Sequence, residues 1–117
     1  MLYCLNSVFA KVIASCLNME ELGMPSMVVS YNAKPVLIRK TSSLFKTPKY
    51  LETCIHVFKF DYVAKQSILM VTSRCGLMYM ECGFTIEGRD DSELPEVLIG
   101  CAAINRPQEK ELEYLFE

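Results

Sequence analysis

Apolar and polar side chains segregate at helical spacing along the opening run MLYCLNSVFAKVIASCLNM. Leu2, Leu5, Phe9, Val12 and Cys16 form one stripe, and Ser7, Lys11, Ser15 and Asn18 form another. This pattern predicts an N-terminal amphipathic helix. Three placements stay open for it: packed on the core or a partner, lying in a membrane interface with one basic residue to hold it, or removed as a leader. The run lacks a basic n-region, which argues against a secretory signal. It is also too short and too polar for a comfortable membrane span.

EELGMPS interrupts the pattern, since Gly23 and Pro25 can end a helix and restart an extended chain. MVVSY and KPVLIRKTSSLF then read as strands of a first hairpin, and KTPKY reads as a turn. In YLETCIHVFKF, Tyr50, Cys54, His56, Phe58 and Phe60 share one face, and Leu51, Thr53, Ile55 and Val57 share the other. Apolar groups on both faces predict a central strand covered on each side.

Asp61 is placed to cap the next element. Ala64, Ile68, Val71, Cys75, Met78 and Cys82 recur at helical spacing, and few charges accompany them, so a long buried helix is expected. CGFTIEG and VLIGCAAIN follow as strands, and RPQEKELEYLFE as a loose terminal helix. The fold class expected is α+β. A mixed, mainly antiparallel sheet carries one long buried helix in a right-handed strand–helix–strand crossover, with the amphipathic helix added at the N-terminus.

With 117 residues there is room for one domain and one core. A formal charge of −2 argues against a nucleic-acid partner. Cys4, Cys16, Cys54, Cys75, Cys82 and Cys101 lie inside apolar segments rather than at loop corners. They read as reduced packing residues of an intracellular chain.

Little chemistry is legible. His56, the single histidine, lies two residues from Cys54 on the same strand face, a spacing that permits a Cys–His pair. A buried strand is a poor address for a nucleophile, and a satisfied core histidine is the stronger reading. Phosphate loops, zinc spacings and hydrolase motifs are missing from the sequence. No enzyme activity, metal or cofactor is therefore expected.

Lys34, Arg39, Lys40, Lys46 and Lys49 concentrate positive charge in the first hairpin and its turn, with Tyr31, Phe45 and Tyr50 interleaved. They suit lipid head groups or an acidic partner, or else guard a sheet edge against aggregation. Asp90, Asp91, Glu93 and Glu96 crowd around Pro95. They could be a metal site, a catalytic pair or a solvated turn, and the turn explains them best. Ser92 would cap one helical turn through Glu96, with carboxylates favouring its N-terminus and Pro95 inside it.

KPVLIRKTSSLFKTPKYLETCIHV and FTIEGRDDSELPEVLIGCAAINR together resemble a known family, the C-terminal domain of the plant protein enhanced disease resistance 2. The resemblance rests on Pro35-Val36-Leu37, Tyr50-Leu51-Glu52, Ala64, Ile86-Glu87-Gly88, Glu93-Leu94-Pro95-Glu96 and Gly100, in that order. Cys54 departs from the acidic residue often found at its position. The similarity spans 26–107, with the helix of 1–25 outside it and a polar tail over 108–117. It resembles only the last part of a domain about twice as long.

The resemblance implies a cytoplasmic protein, peripheral to a membrane and linked to lipid binding, without catalytic residues. Two functions follow. The first is a lipid- or membrane-associated module, contacting an anionic lipid surface through Lys34, Arg39, Lys40, Lys46, Lys49 and Tyr50. The alternative is a structural or interaction subunit that completes its sheet with a protein partner, at the unfinished edge or the N-terminal helix.

Overall fold

A computed structural model describes residues 3–4 and 10–108. The strands are β1 (Tyr3–Cys4), β2 (Ala10–Cys16), β3 (Pro35–Leu37), β4 (Ser42–Lys46), β5 (Leu51–Ile55), β6 (Tyr79–Ile86) and β7 (Leu98–Asn105). The helices are α1 (Ser26–Tyr31) and α2 (Tyr62–Thr72). One sheet has the order β1-β4-β5 and the other β3-β2-β6-β7. Every pairing among the described residues is antiparallel. The α+β class holds, but as two antiparallel sheets rather than one mixed sheet.

The expected N-terminal helix is corrected by β2, a strand paired with β3 on one side and β6 on the other. The reason lies in the spacing itself. Positions four apart fall on one helical face, yet they also fall on one strand face, since four is a multiple of two. Val12 and Cys16, like Lys11 and Ser15, fit both patterns, and the adjacent β-branched Val12 and Ile13 favour the strand. At the start of that predicted helix Tyr3–Cys4 form β1, and 5–9, like the tail from 109 on, lie outside the described residues.

The same ambiguity shortened the long helix. It ends at Thr72, a tight turn follows at Cys75–Leu77, and Met78 leads into β6. Met78 and Cys82, which continue the helical spacing, lie just before β6 and within it instead. Asp61 does cap α2, accepting the Ala64 N–H at 2.8 Å. No residue of α2 is buried, so the expected buried helix is corrected as well. Nor is there a crossover within one sheet, because α2 links β5 of the first sheet to β6 of the second.

Two further segments differ. MVVSY forms α1, not a strand: the Val28 and Val29 N–H groups both donate to the Pro25 carbonyl, and Val28 turns inward. β5 is an edge strand with Leu51 exposed, not a covered central one, and it stops before a single turn at Val57–Lys59. Turn-and-strand signals were better guides at KTPKY, where the chain reverses between β4 and β5 with Lys46 opposite Leu51.

Cys16, Met19, Met24, Val28 and Met78 form the core cluster, with Leu22, Val71, Cys75 and Met80 against it. Asn32 fixes the end of β2 by accepting the Cys16 N–H at 2.8 Å and donating to the Cys16 carbonyl at 3.1 Å, as a neighbouring strand would. Asn18 likewise ties β2 to the start of β6, donating to the Leu77 carbonyl and accepting the Tyr79 N–H. The packed centre therefore lies between β2, α1 and the start of β6. Ile38 and Leu44 are buried outside this cluster.

Candidate functional site

Two charged turns and one bare sheet margin stand out. The first turn joins β6 to β7. Glu96 accepts the Lys11 ammonium at 2.9 and 3.1 Å through its two oxygens, and the Gly88 N–H at 3.0 Å. Glu93 accepts the Arg89 N–H at 2.8 Å and the Asp90 N–H at 3.4 Å. Glu87 lies 3.6 Å from the same Lys11 ammonium. The acidic segment is thus closed onto itself and clamped to β2.

Charge-assisted bonds favour the ionised forms. The Lys11 ammonium holds the Glu96 carboxyl below its ordinary range, helped by the Gly88 amide. Backbone N–H groups of Arg89 and Asp90 do the same for Glu93. Lys11 is raised in return, chiefly by its bond to Glu96.

Gly88 has a steric role here. A Cβ at that position would sit 2.9 Å from Leu94 Cδ2 and 3.0 Å from the Glu93 carbonyl oxygen. Glycine lets the E-L-P-E backbone fold down on β6. The helical turn expected through Glu96 is instead a single 3-10 turn at Asp91–Glu93, and Pro95 lies beyond it. A shallow open hollow of about 260 Å³ remains, bordered by Ile86, Glu87, Glu93, Pro95, Glu96 and Ile99. No group of three metal-ligating side chains occurs among the described residues.

The second charged turn joins β4 to β5. Thr47 organises it: its hydroxyl accepts the Lys49 N–H at 3.2 Å and the Tyr50 N–H at 3.0 Å, while its own N–H donates to the Tyr50 carbonyl. Lys46, Lys49, Tyr50 and Leu51 are all exposed around it. Of the residues singled out for lipid or partner contact, the fold brings together Lys46, Lys49 and Tyr50. Arg39 and Lys40 are exposed in the turn before β4, at its opposite end. The five residues of β4, roughly 14 Å of extended chain at about 3.4 Å per residue, lie between the two places. Lys34 is exposed just ahead of β3, in the other sheet. The single basic hairpin of the sequence is thus three separate basic places.

His56 and Cys54 do not form a pair. His56 Nε2 lies 2.8 Å from the Ser43 hydroxyl, and the Cys54 thiol donates to Glu52 at 3.3 Å. That bond to Glu52, reinforced by partial burial, pushes the Cys54 thiol up, away from nucleophilic character. Burial also raises Cys82. Cys16, Cys54, Cys75, Cys82 and Cys101 are free thiols.

Sequence reasoning missed the margin at β7. Every residue of this strand is exposed, including Leu98, Ile99 and Ile104. The run of eight uncharged residues signals a strand but not where in the sheet it lies. Its position at the edge depends on strand order, which local pattern does not encode.

The fold and these surfaces define a small antiparallel α+β domain held together in part by a carboxylate-clamped turn. The family model described as Protein ENHANCED DISEASE RESISTANCE 2, C-terminal, matches residues 5–107. The chain belongs to that family, and the match begins well before the 26–107 segment that carries the motifs. No curated protein and no solved structure matches the chain. No helix among the described residues is long and apolar enough to cross a membrane.

Proposed function

We propose that this chain is a non-enzymatic module that docks on anionic lipid surfaces, peripheral to the cytoplasmic face of a membrane, through the β4–β5 turn. The observation that carries this reading is the tip itself. Two lysines, a tyrosine and a leucine are exposed around a turn that Thr47 holds in shape. Lysines there meet phosphate head groups, while an amphipathic aromatic ring and an aliphatic side chain suit the interface beneath them. Lys34, Arg39 and Lys40 stand outside this contact.

The test is sedimentation with vesicles of phosphatidylcholine, alone or mixed with phosphatidylserine. Binding is expected to the mixed vesicles only and to fall with added salt. With about 1 kcal/mol per cation, Lys46→Gln with Lys49→Gln should weaken it by roughly 25-fold. Equal binding to neutral vesicles, or no loss in the double variant, would overturn the proposal. Absence of any vesicle binding would turn the lysines into guards of the β5 edge.

A second reading, an interaction subunit that completes its sheet with a protein partner, is favoured by the exposed β7 margin, which among the described residues is bonded only to β6.

A further inference from the structure

Lys46-Thr47-Pro48-Lys49-Tyr50 runs around the tip between β4 and β5, with Lys46 opposite Leu51 as the last ladder pair. The chain has five prolines, and only Pro48 follows a serine or threonine. That pairing has a chemical consequence. Proline has no N–H to satisfy, and it turns the residue before it away from helical backbone. A Thr-Pro pair therefore suits an enzyme that grips its substrate extended around a hydroxyl and offers no acceptor to the next N–H. Proline-directed protein kinases are built to that demand.

The hydroxyl is within reach. Thr47 is half-buried, but its bond to the Tyr50 carbonyl at 3.1 Å and those it accepts from the Lys49 and Tyr50 N–H groups are all exposed. Pro48, Lys49 and Tyr50 are exposed beside it. Solvent-exposed bonds at a loop tip open at low free energy, so the turn can be drawn into an enzyme without unfolding the sheets. The hydroxyls nearer Arg39 and Lys40 are less available. Ser42 donates to the Ile38 carbonyl at 2.7 Å and Ser43 meets His56 at 2.8 Å, both partly buried.

We propose that Thr47 is a phosphorylation site for a proline-directed protein kinase, and that the phosphate releases the β4–β5 turn from anionic membranes. Thr47 Oγ1 attacks the γ-phosphorus of ATP. A new O–P bond forms as the bond to the bridging β-phosphate oxygen breaks, ADP departs, and the hydroxyl proton passes to a carboxylate of the kinase. The release rests on the lipid reading, whereas the modification does not.

Charge explains the release. A phosphate carries about −1.5 to −2 at pH 7. Lys46 and Lys49 each bring one positive charge to the tip, so modification leaves it close to neutral. The esterified oxygen also loses the proton it donates to the Tyr50 carbonyl. The new phosphate oxygens accept the ammonium groups of the flanking lysines, which otherwise meet lipid head groups.

The purified full chain is incubated with magnesium, ATP and a purified proline-directed kinase, and the phosphate is mapped by mass spectrometry. One phosphate is expected, on Thr47. Pro48→Ala keeps the hydroxyl and should take none, whereas Thr47→Ser should still be modified. Modified and unmodified protein are then sedimented with vesicles of phosphatidylcholine mixed with phosphatidylserine. Phosphorylation should weaken binding by roughly 25-fold, as neutralising both lysines would, and phosphatase should restore it.

A chain left unmodified at Thr47, or Pro48→Ala modified as fast as the wild type, would overturn the site. Phosphorylated protein that stays on vesicles bound by the unmodified protein would overturn the release alone. If the unmodified protein also ignores the vesicles, the lipid reading and the release fall together, while the mapped phosphate still decides the site.

Discussion

The two charged turns of this protein use their charges in opposite ways. In the turn between β6 and β7, Glu93 and Glu96 accept backbone N–H groups and the Lys11 ammonium. In the turn between β4 and β5, Thr47 and backbone N–H groups do the folding, and the lysine ammonium groups play no part in it. No ion pair involves Lys46 or Lys49 among the described residues. A cluster of like charges is thus uninformative until its partners are known. Carboxylates can serve as hydrogen-bond acceptors for an irregular backbone, whereas ammonium groups at a preformed tip are left to meet something outside the chain.

The comparison breaks first at Gly88. Gly88→Ala should destabilise the protein by about 1–3 kcal/mol, because the added Cβ would strike the Glu93 carbonyl as well as the Leu94 side chain. Chemical denaturation measures this directly. A neutral outcome would mean that the acidic turn does not need to lie against β6.

The motifs explain why part of this was legible in advance. I-E-G followed by E-L-P-E is one structural unit, in which the glycine makes room and the final glutamate returns to bond its N–H. P-V-L is the short edge strand β3, against β2. Asp61 and KTPKY were readable because capping and turn chemistry are local. The partner of Glu96 was not readable, since Lys11 lies 85 residues away and was assigned to a helix. Residues 10–16 and 78–82 were misread for one reason, that apolar positions four apart satisfy both periodicities. The three basic places were merged because nothing local shows that β3 and β4 belong to different sheets.

A smaller effect separates the turns by pH. Glu93 and Glu96 titrate below their ordinary 4.5 in the folded chain, so their contribution is complete above that pH and is lost as acid protonates them below it. Lys11 is raised above 10.5, so its contribution persists below that pH and fades as alkali removes the proton. Glu96→Gln should therefore lower the melting temperature slightly at neutral pH and flatten its fall below pH 4.5. Melting curves that fall equally steeply in both proteins would show that the clamp contributes nothing.

Divalent cations should have the smallest effect of all. Calcium, magnesium or manganese should leave the melting temperature unchanged, because Glu93 and Glu96 already serve backbone and ammonium donors. A metal-dependent rise abolished by Glu93→Gln would make these carboxylates ligands.

The contrast between the turns is tested most directly by measuring two variants in two assays. Lys46→Gln with Lys49→Gln should lose binding to phosphatidylserine vesicles while melting with the wild type. Glu96→Gln should melt lower and keep its vesicle binding. Vesicle binding that is lost in Glu96→Gln and retained in the lysine variant would contradict the assignment of one turn to folding and the other to a surface.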